Sequence, residues 1–455
     1  MQNFNKIVRS YTLGGIGQNL VYALMTSAYL FYFTEAVGFS AATVGTILLV
    51  VRVISLVIDP CVAVLVEKTN TRWGKYKPYV IVMPAIISLL LIALFFQPGF
   101  SKPVYLIYVY VITLLFWLAY AFFDIAYWSL VPSITKDERK RVKLLTVCKS
   151  GILFAAFGLG ITQMPLVHLL GKGNYRNGFL LLSIILACIF TIAGWLLSRS
   201  LSIIDDENKT NKHSRKKLTL KDILTALRYN DQLFILIIAK LAIYIPLSIK
   251  GALAIYFYKY QLGNDSLGSF ASMIALPLTL ILISSCPKLL KKYSDKYIMS
   301  ICVLIQVTLY LIYFIQTDIS MFYIVIDGMS SAMLGVYSLF FTNMIATCVE
   351  YGEWKTEIRT ESIIFSTNTI SSKLATGLSG AIAGWVLTGI GYNPGMTQTP
   401  QMLMTLKSLL SIVPVTGLLI GVLALRYYKL NSDLYQKIIL DLANHKSAKS
   451  SNKTT

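Results

Sequence analysis

Acidic residues are scarce. The chain has 21 Asp and Glu against 41 Lys and Arg in 455 residues, and charged residues of both signs make up only 14% of it. That density excludes an ordinary soluble surface, for which about a quarter of residues are charged. Only three histidines occur, His168, His213 and His445, too scattered to build a metal site. The six cysteines, Cys61, Cys148, Cys188, Cys286, Cys302 and Cys348, show no CxxC or Cys/His spacing. A redox pair or zinc ribbon is thereby excluded, and the cysteines are expected to be small packing residues. No phosphate loop, nucleophile elbow or metal-ligand cluster is present, so neither an enzyme nor a cofactor is expected.

What the chain has instead is long apolar runs, with hydrophobic residues at 56%. Twelve runs are long enough to cross a bilayer as helices: 11–33, 43–64, 79–96, 104–131, 145–169, 179–197, 233–258, 270–290, 299–315, 322–349, 363–390 and 402–427. The fold class expected is an all-α membrane protein of twelve transmembrane helices. The widest polar gap divides it into a six-helix bundle at 1–198, a central loop at 199–231, a second bundle at 232–428 and a cytoplasmic tail at 429–455, whose last stretch NHKSAKSSNKTT, 444–455, is read as disordered. The start MQNFNKIVRSYTLGG leads into a long span with no cleavage site, so the first span is expected to be retained.

The formal charge of +20 is a topology signal and not a nucleic-acid footprint. Lys68, Arg72, Lys75 and Lys77 and the basic stretches 136–143, 199–228 and 288–296 occupy even-numbered connections, whereas odd ones hold only Lys102, Lys172, Arg176 and Lys259. Excess Lys and Arg mark the cytoplasmic side, so both termini are expected in the cytoplasm of a cell-membrane protein. Anionic membrane lipids are a second expected partner of these loops.

Ionisable groups at membrane depth cost roughly 2.5–3.5 kcal/mol each on insertion scales, so they call for a partner or a watery cavity. The first half holds Arg52, Asp59, Asp124 and Lys149, and the second Lys240, Lys250, Asp327, Glu350 and Lys373. Static charge pairing between helices is the plain alternative for each. In VVRVISLVIDP, Arg52, Ser55 and Asp59 lie on one helical line about 10 Å long. In WLAYAFFDIAYWSLVP, Trp117, Tyr120, Asp124 and Trp128 share a face at steps of three and four. A carboxylate among aromatic rings suits a sugar, whose hydroxyls it accepts while the rings cover C–H faces; the alternative is a packing stripe. YTLGGIGQNLVYALM combines Gly14, Gly15 and Gly17, which permit close helix approach, with the amides Gln18 and Asn19. STNTISSKLATG forms a polar face ending near Lys373.

The loop motifs TNTRWGKYKP, DIAYWSLVPSIT and VEYGEWKTEIRTESIIFS resemble the signatures of the glycoside-pentoside-hexuronide:cation symporters, the major facilitator group that includes melibiose permease, in order from about residue 8 to 430. The resemblance implies a major facilitator fold of two six-helix bundles with a substrate site at mid-membrane, working by alternating access. It implies sugar contacts at Asn19, where relatives carry an acid, at Asp124, at Lys149, where relatives carry Arg, at Tyr120 and Trp128, and at Lys373.

For the coupling ion it implies two acids a turn apart on the second span. Here the first is Ser55 while Asp59 remains, and an Asn and a Thr of that site are replaced by Ile58 and Ala121. Sodium needs several converging oxygens and a proton only one carboxylate, so H+ is expected over Na+, with Asp59 as acceptor and Arg52 as the cation balancing it. An uncoupled facilitator or a membrane sugar sensor is the alternative. The substrate is expected to be a neutral glycoside or a hexuronide, carried by a protein working as a monomer. Arg72, Glu350 and Glu353 are expected to gate the cytoplasmic side, the alternative being solvated loop charges.

Overall fold

The computed structural model describes residues 2–69, 71, 74–135, 137–205, 228–290, 292–315, 320–357, 361–430 and 432–451. Among them the chain is helical, with no strand beyond an isolated bridge between Thr71 and Gly74. In a bilayer core there is no water to satisfy the backbone, so each crossing segment must close its own hydrogen bonds. The helices of the first half are α1 (Gln2–Ser27), α2 (Ala41–Lys68), α3 (Lys77–Phe95), α4 (Lys102–Ser129), α5 (Glu138–Gly171) and α6 (Tyr175–Asp205). The second half has α7 (Asp231–Tyr260), α8 (Leu267–Leu290), α9 (Asp295–Ile315), α10 (Ser320–Thr356), α11 (Glu361–Gly389), α12 (Pro400–Arg426) and α13 (Ser432–Ser451).

Helices α1 to α12 follow the twelve expected spans. Ten are long and apolar enough to cross a membrane. The two outside that set are α1 and α11, which carry Gln18 and Asn19 and the STNTISSKLATG face. The boundaries have local causes. The Ser40 side chain accepts from the Thr43 amide to cap α2, and Asp137 accepts from the amides of Arg139 and Lys140 to cap α5. Beyond Ser27, α1 continues through Tyr29–Phe31 and a π turn, Tyr32–Ala36, ending where Gly38 takes φ +83°.

The tail carries α13, docked where Ile438 is fully buried and Trp354 of α10 donates to Asp441 at 3.2 Å, and the helix runs on to Ser451, into the first part of the stretch expected to be disordered. Residues 206–227, most of the expected central loop, lie outside the described residues.

Two compact units are present, and they do not divide at the central loop alone. Unit 1 comprises Met1–His213 with Tyr258–Ser272 and Gly380–Thr399; unit 2 comprises Ser214–Phe257, Met273–Ser379 and Pro400–Thr455. In unit 1, α1 packs on α5 and α6, α3 on α6 and α4, and α2 on α4. In unit 2, α9 packs on α10 and α12, and α13 on α10. All six cysteines are free, with Cys148, Cys286 and Cys348 buried.

Candidate functional site

The aromatic face of α4 is held against α1 by small residues. A Cβ on Gly15 would meet the Tyr127 hydroxyl at 2.5 Å, and one on Gly17 would meet the Phe190 backbone at 3.0 Å. The close approach brings Tyr11 and Tyr127 into a stack with centroids 4.3 Å apart, and the Tyr127 hydroxyl donates to the Tyr11 carbonyl at 2.7 Å. On this base Asp124 Oδ1 accepts from Gln18 Nε2 at 2.5 Å and from Trp128 Nε1 at 3.0 Å. Tyr22 of α1 meets Trp117 edge-on at 5.8 Å and Tyr120 at 5.8 Å, while Trp117 and Tyr120 meet at 5.5 Å. Tyr120, Asp124 and Trp128 thus share one wall, as their spacing predicts.

The amide that serves Asp124 is Gln18, not Asn19. Asn19 Nδ2 donates to the Gly15 carbonyl of its own helix at 2.9 Å. Gln18 is 1% exposed and its Oε1 is a buried acceptor with no hydrogen-bond partner. A buried orphan of that kind is costly, and a substrate hydroxyl would relieve it. Adjacent residues on a helix differ by about 100°, so both cannot face α4. Gln18→Ala is expected to weaken sugar binding about tenfold, the worth of one hydrogen bond to a charged network. Asn19→Ala is expected to change it less than threefold. Titration calorimetry on the purified variants checks the order, and a larger loss for Asn19 would reverse the assignment.

Along α2 the polar line is present but its members do different things. Arg52 is buried and its guanidinium lies over the Trp117 ring, 3.6 Å from the centroid. Ser55 Oγ bonds back to the Val51 carbonyl at 2.8 Å, and Asp59 is half-buried. Ile58 and Ala121, which stand where sodium-coupled relatives are expected to have oxygen ligands, pack into an apolar cluster with Val62, Val66 and Ala126. Among the described residues no three His, Cys, Asp or Glu gather as metal ligands.

Lys149, on α5, is exposed. In unit 2, Lys373 of α11 is half-buried, and beside it Lys240 of α7 donates to the Asn368 carbonyl at 2.9 Å, to the Asn368 side chain and to Ser372 Oγ at 2.7 Å. Lys250 and Asp327 form a buried ion pair, with the Tyr310 and Tyr323 rings each 5.9 Å from the ammonium. Static pairing is therefore the reading that holds for those two. Glu350 and Glu353 stand on α10, Glu353 buried. Arg72, their expected gating partner, lies outside the described residues.

One charged cluster escaped the sequence reading. Glu35 sits in the π turn after α1, two residues beyond the expected first span, so hydropathy left it in a loop. Its side chain is 1% exposed. It accepts from Lys259 at 2.5 Å, from the Tyr260 hydroxyl at 2.7 Å and from the Tyr392 hydroxyl. The Lys259 ammonium also lies 4.7 Å from the Tyr175 ring, and Arg176 Nε donates to the Ala36 carbonyl at 2.7 Å. Nearby, Asp265 is bonded by His168 at 2.7 Å and by the Tyr175 hydroxyl at 2.5 Å. These contacts all lie within unit 1, at the ends of helices opposite the basic loops.

Comparison with known proteins follows the same line. Residues 10–432 match the family model described as MFS/sugar transport protein. The chain is 26% identical over 437 residues to an isoprimeverose transporter of Lactiplantibacillus pentosus, covering 95% of this chain and 90% of that protein. It is 25% identical over 451 residues to a glucuronide carrier protein homolog of Escherichia coli strain K12, covering 97% and 96%. Among solved structures, the nucleoside transporter NupG superposes with a TM-score of 0.67 at 14% identity, covering 93% of this chain and all of that one. That likeness speaks to the fold.

Proposed function

The chain belongs to the MFS/sugar transport protein family, transporters and not enzymes, and on that premise we propose that it is a cation-coupled symporter of a sugar or glycoside. It carries its substrate across the cell membrane by alternating access, as a monomer with both termini in the cytoplasm. The observation that carries the reading is the Asp124 carboxylate, met by Gln18 and Trp128 on an aromatic wall beside a buried, orphaned amide oxygen. Such a wall offers hydroxyls their acceptors and ring C–H groups their apolar cover. The names of similar proteins, an isoprimeverose transporter and a glucuronide carrier homolog, favour the same substrate class. Counterflow of labelled sugar in proteoliposomes tests it: exchange is expected, and binding without exchange would make the protein a sensor.

The coupling ion is a proton, taken up by Asp59. Ile58 and Ala121 fill with carbon the positions from which a sodium ion would draw oxygens, whereas a proton needs a single carboxylate at membrane depth. Reorientation is then cheaper with the carboxyl protonated than with a charge carried through an apolar barrier. Imposed pH gradients are expected to drive accumulation by the natural protein. Asp59→Asn is expected to abolish that response while counterflow persists. Equal stimulation of both proteins would remove Asp59 from the coupling step, and stimulation by sodium alone would replace the proton.

A further inference from the structure

At the end opposite the basic loops, two carboxylates are enclosed in the same closure and have different counter-ions. Glu35 is met by Lys259 at 2.5 Å, a cation at any physiological pH. Asp265, in the connection between α7 and α8, has only 4% of its side chain exposed, and among the described residues the basic group within ion-pair distance of it is His168, with Nε2 2.7 Å from Oδ1. Its other partners are neutral: the Tyr175 hydroxyl donates to Oδ2 at 2.5 Å and the Ser266 hydroxyl to Oδ1 at 3.4 Å. A buried carboxylate is disfavoured unless a cation or a proton balances it. Imidazole is the side chain that changes charge between about pH 5 and 8.

The geometry says where a proton would go. A carboxylate accepts, so Nε2 carries the hydrogen that meets Asp265 and Nδ1 keeps the lone pair of the neutral ring. With 37% of the His168 side chain exposed, the ring can gain a proton from the medium at Nδ1, which turns a neutral hydrogen bond into an ion pair. His168 also lies in the last turn of α5, which ends at Lys172 in the left-handed region at φ 48°, and the carbonyl end of a helix favours a cation.

The groups around the ring are few. On α5 itself Lys172 is exposed. From α6 come Tyr175, 5.5 Å away between ring centroids, and Arg176, whose Nε is taken by the Ala36 carbonyl. Lys259 lies 4.7 Å from the Tyr175 ring but is engaged by Glu35, as are Tyr260 and, from the connection between α11 and α12, Tyr392. Tyr175 therefore joins the two carboxylates, its hydroxyl on Asp265 and its ring beside Lys259. His168 belongs to the first-half helices and Asp265 to the segment Tyr258–Ser272 that packs with them in unit 1. Their bond is thus made when this end is closed.

We propose that His168 and Asp265 form a proton-binding site separate from Asp59, at which one proton gained from the medium facing that end fastens the closure. The two residues titrate as a pair. A charge-assisted hydrogen bond is roughly twice as strong as a neutral one, so the bound proton favours the closed form about fivefold. The inference goes beyond symport and does not depend on which ion Asp59 binds.

The test is the labelling rate of a Ser272→Cys protein in nanodiscs with an impermeant maleimide at about pH 5 and about pH 8. Each rate is counted above the native cysteines and divided by the rate of the same protein unfolded in SDS at that pH, which removes the reactivity of the thiol itself. Labelling is expected to be about fivefold slower at the acid end. His168→Gln keeps a hydrogen-bonding side chain without a charge and is expected to label at the faster rate at both pH values; Asp265→Asn is expected to do the same. His168→Arg carries a permanent charge and is expected to label slowly at both. Melting temperatures report whether each variant folds, and the two pH values on the parent protein stand independently of any variant. Equal rates in the parent, or a pH dependence that survives His168→Gln, would overturn the proposal. Fast labelling of a folded His168→Arg at both pH values would also overturn it, because a contact that merely ties the elements together gains nothing from the charge. Sugar exchange is unaffected by either result, so the transport reading stands or falls separately.

Discussion

Asp124→Asn is expected to reduce sugar affinity at least a hundredfold while leaving the protein folded. The carboxylate does two jobs. It holds Gln18 and Trp128 through one oxygen, at 2.5 and 3.0 Å, and it supplies charged acceptor capacity to hydroxyls, since a carboxylate has about four lone-pair sites. An amide of the same size keeps the packing but has one acceptor and adds two donors. If its oxygen stays with Gln18 and Trp128, its NH2 group faces the sugar, where an acceptor is wanted. If it turns round, donors meet donors across the wall. Two charge-assisted bonds are worth roughly 1.5–3 kcal/mol each, and each 1.4 kcal/mol is tenfold, so a hundredfold loss is the conservative expectation. Calorimetry against the best-bound sugar, with a thermal melt of the unliganded variant, checks it. Affinity within threefold of the natural protein would make the face of α4 a packing stripe and remove the main support for the proposed function.

The sequence carried the architecture well because its signal is physical and local. Apolar runs of bilayer length must be helices, and each of α1 to α12 overlaps its expected span, with ends that differ by up to nine residues. The wall of α4 was legible for a similar reason, since steps of three and four fix a face once the helix is granted. Between Gln18 and Asn19 the sequence had no basis for choice beyond family resemblance. Only the rotation of α1, set by Gly15 and Gly17 against Tyr127 and Phe190, gives Asp124 its partner. Arg52 was read with Asp59 because they share a helix line, and Asp59 is among the charges acting on it; its stacking on Trp117 comes from another helix and has no signal in α2 itself. Glu35 was lost through the π turn, which extends α1 beyond the apolar run that defined it. The docking of the tail helix was not legible because it rests on one buried side chain, Ile438, in a stretch whose composition is dominated by polar residues.

Glu35→Gln is expected to unlatch the end of the protein opposite the basic loops. Alternating access requires that end to open in some state, which means that Tyr258–Ser272 and Gly380–Thr399 must leave the first-half helices with which they now form one unit. Glu35 is the common acceptor of that closure, gathering Lys259, Tyr260 and Tyr392 on a single buried carboxylate. Glutamine cannot neutralise the ammonium of Lys259, which is about one-fifth exposed with side-chain relative accessibility 22%. Losing one hydrogen bond between charged groups costs about 1.5–3 kcal/mol, which shifts a two-state equilibrium roughly ten- to hundredfold toward the open form. A cysteine introduced at Ser272, which packs against Gly160, is expected to react with an impermeant maleimide about tenfold faster in the Glu35→Gln background than in its parent, measured above the labelling of the native cysteines. Sugar binding should survive, because Glu35 is not part of the Asp124 wall, while net uptake should fall as the closed state becomes harder to reach. The charge-swapped pair Glu35→Lys with Lys259→Glu separates a latch from a general fold defect, since the pair can restore the ion pair whereas a fold defect would deepen. Slow labelling with normal uptake in Glu35→Gln would show that the cluster only ties loops together and that the closure lies elsewhere.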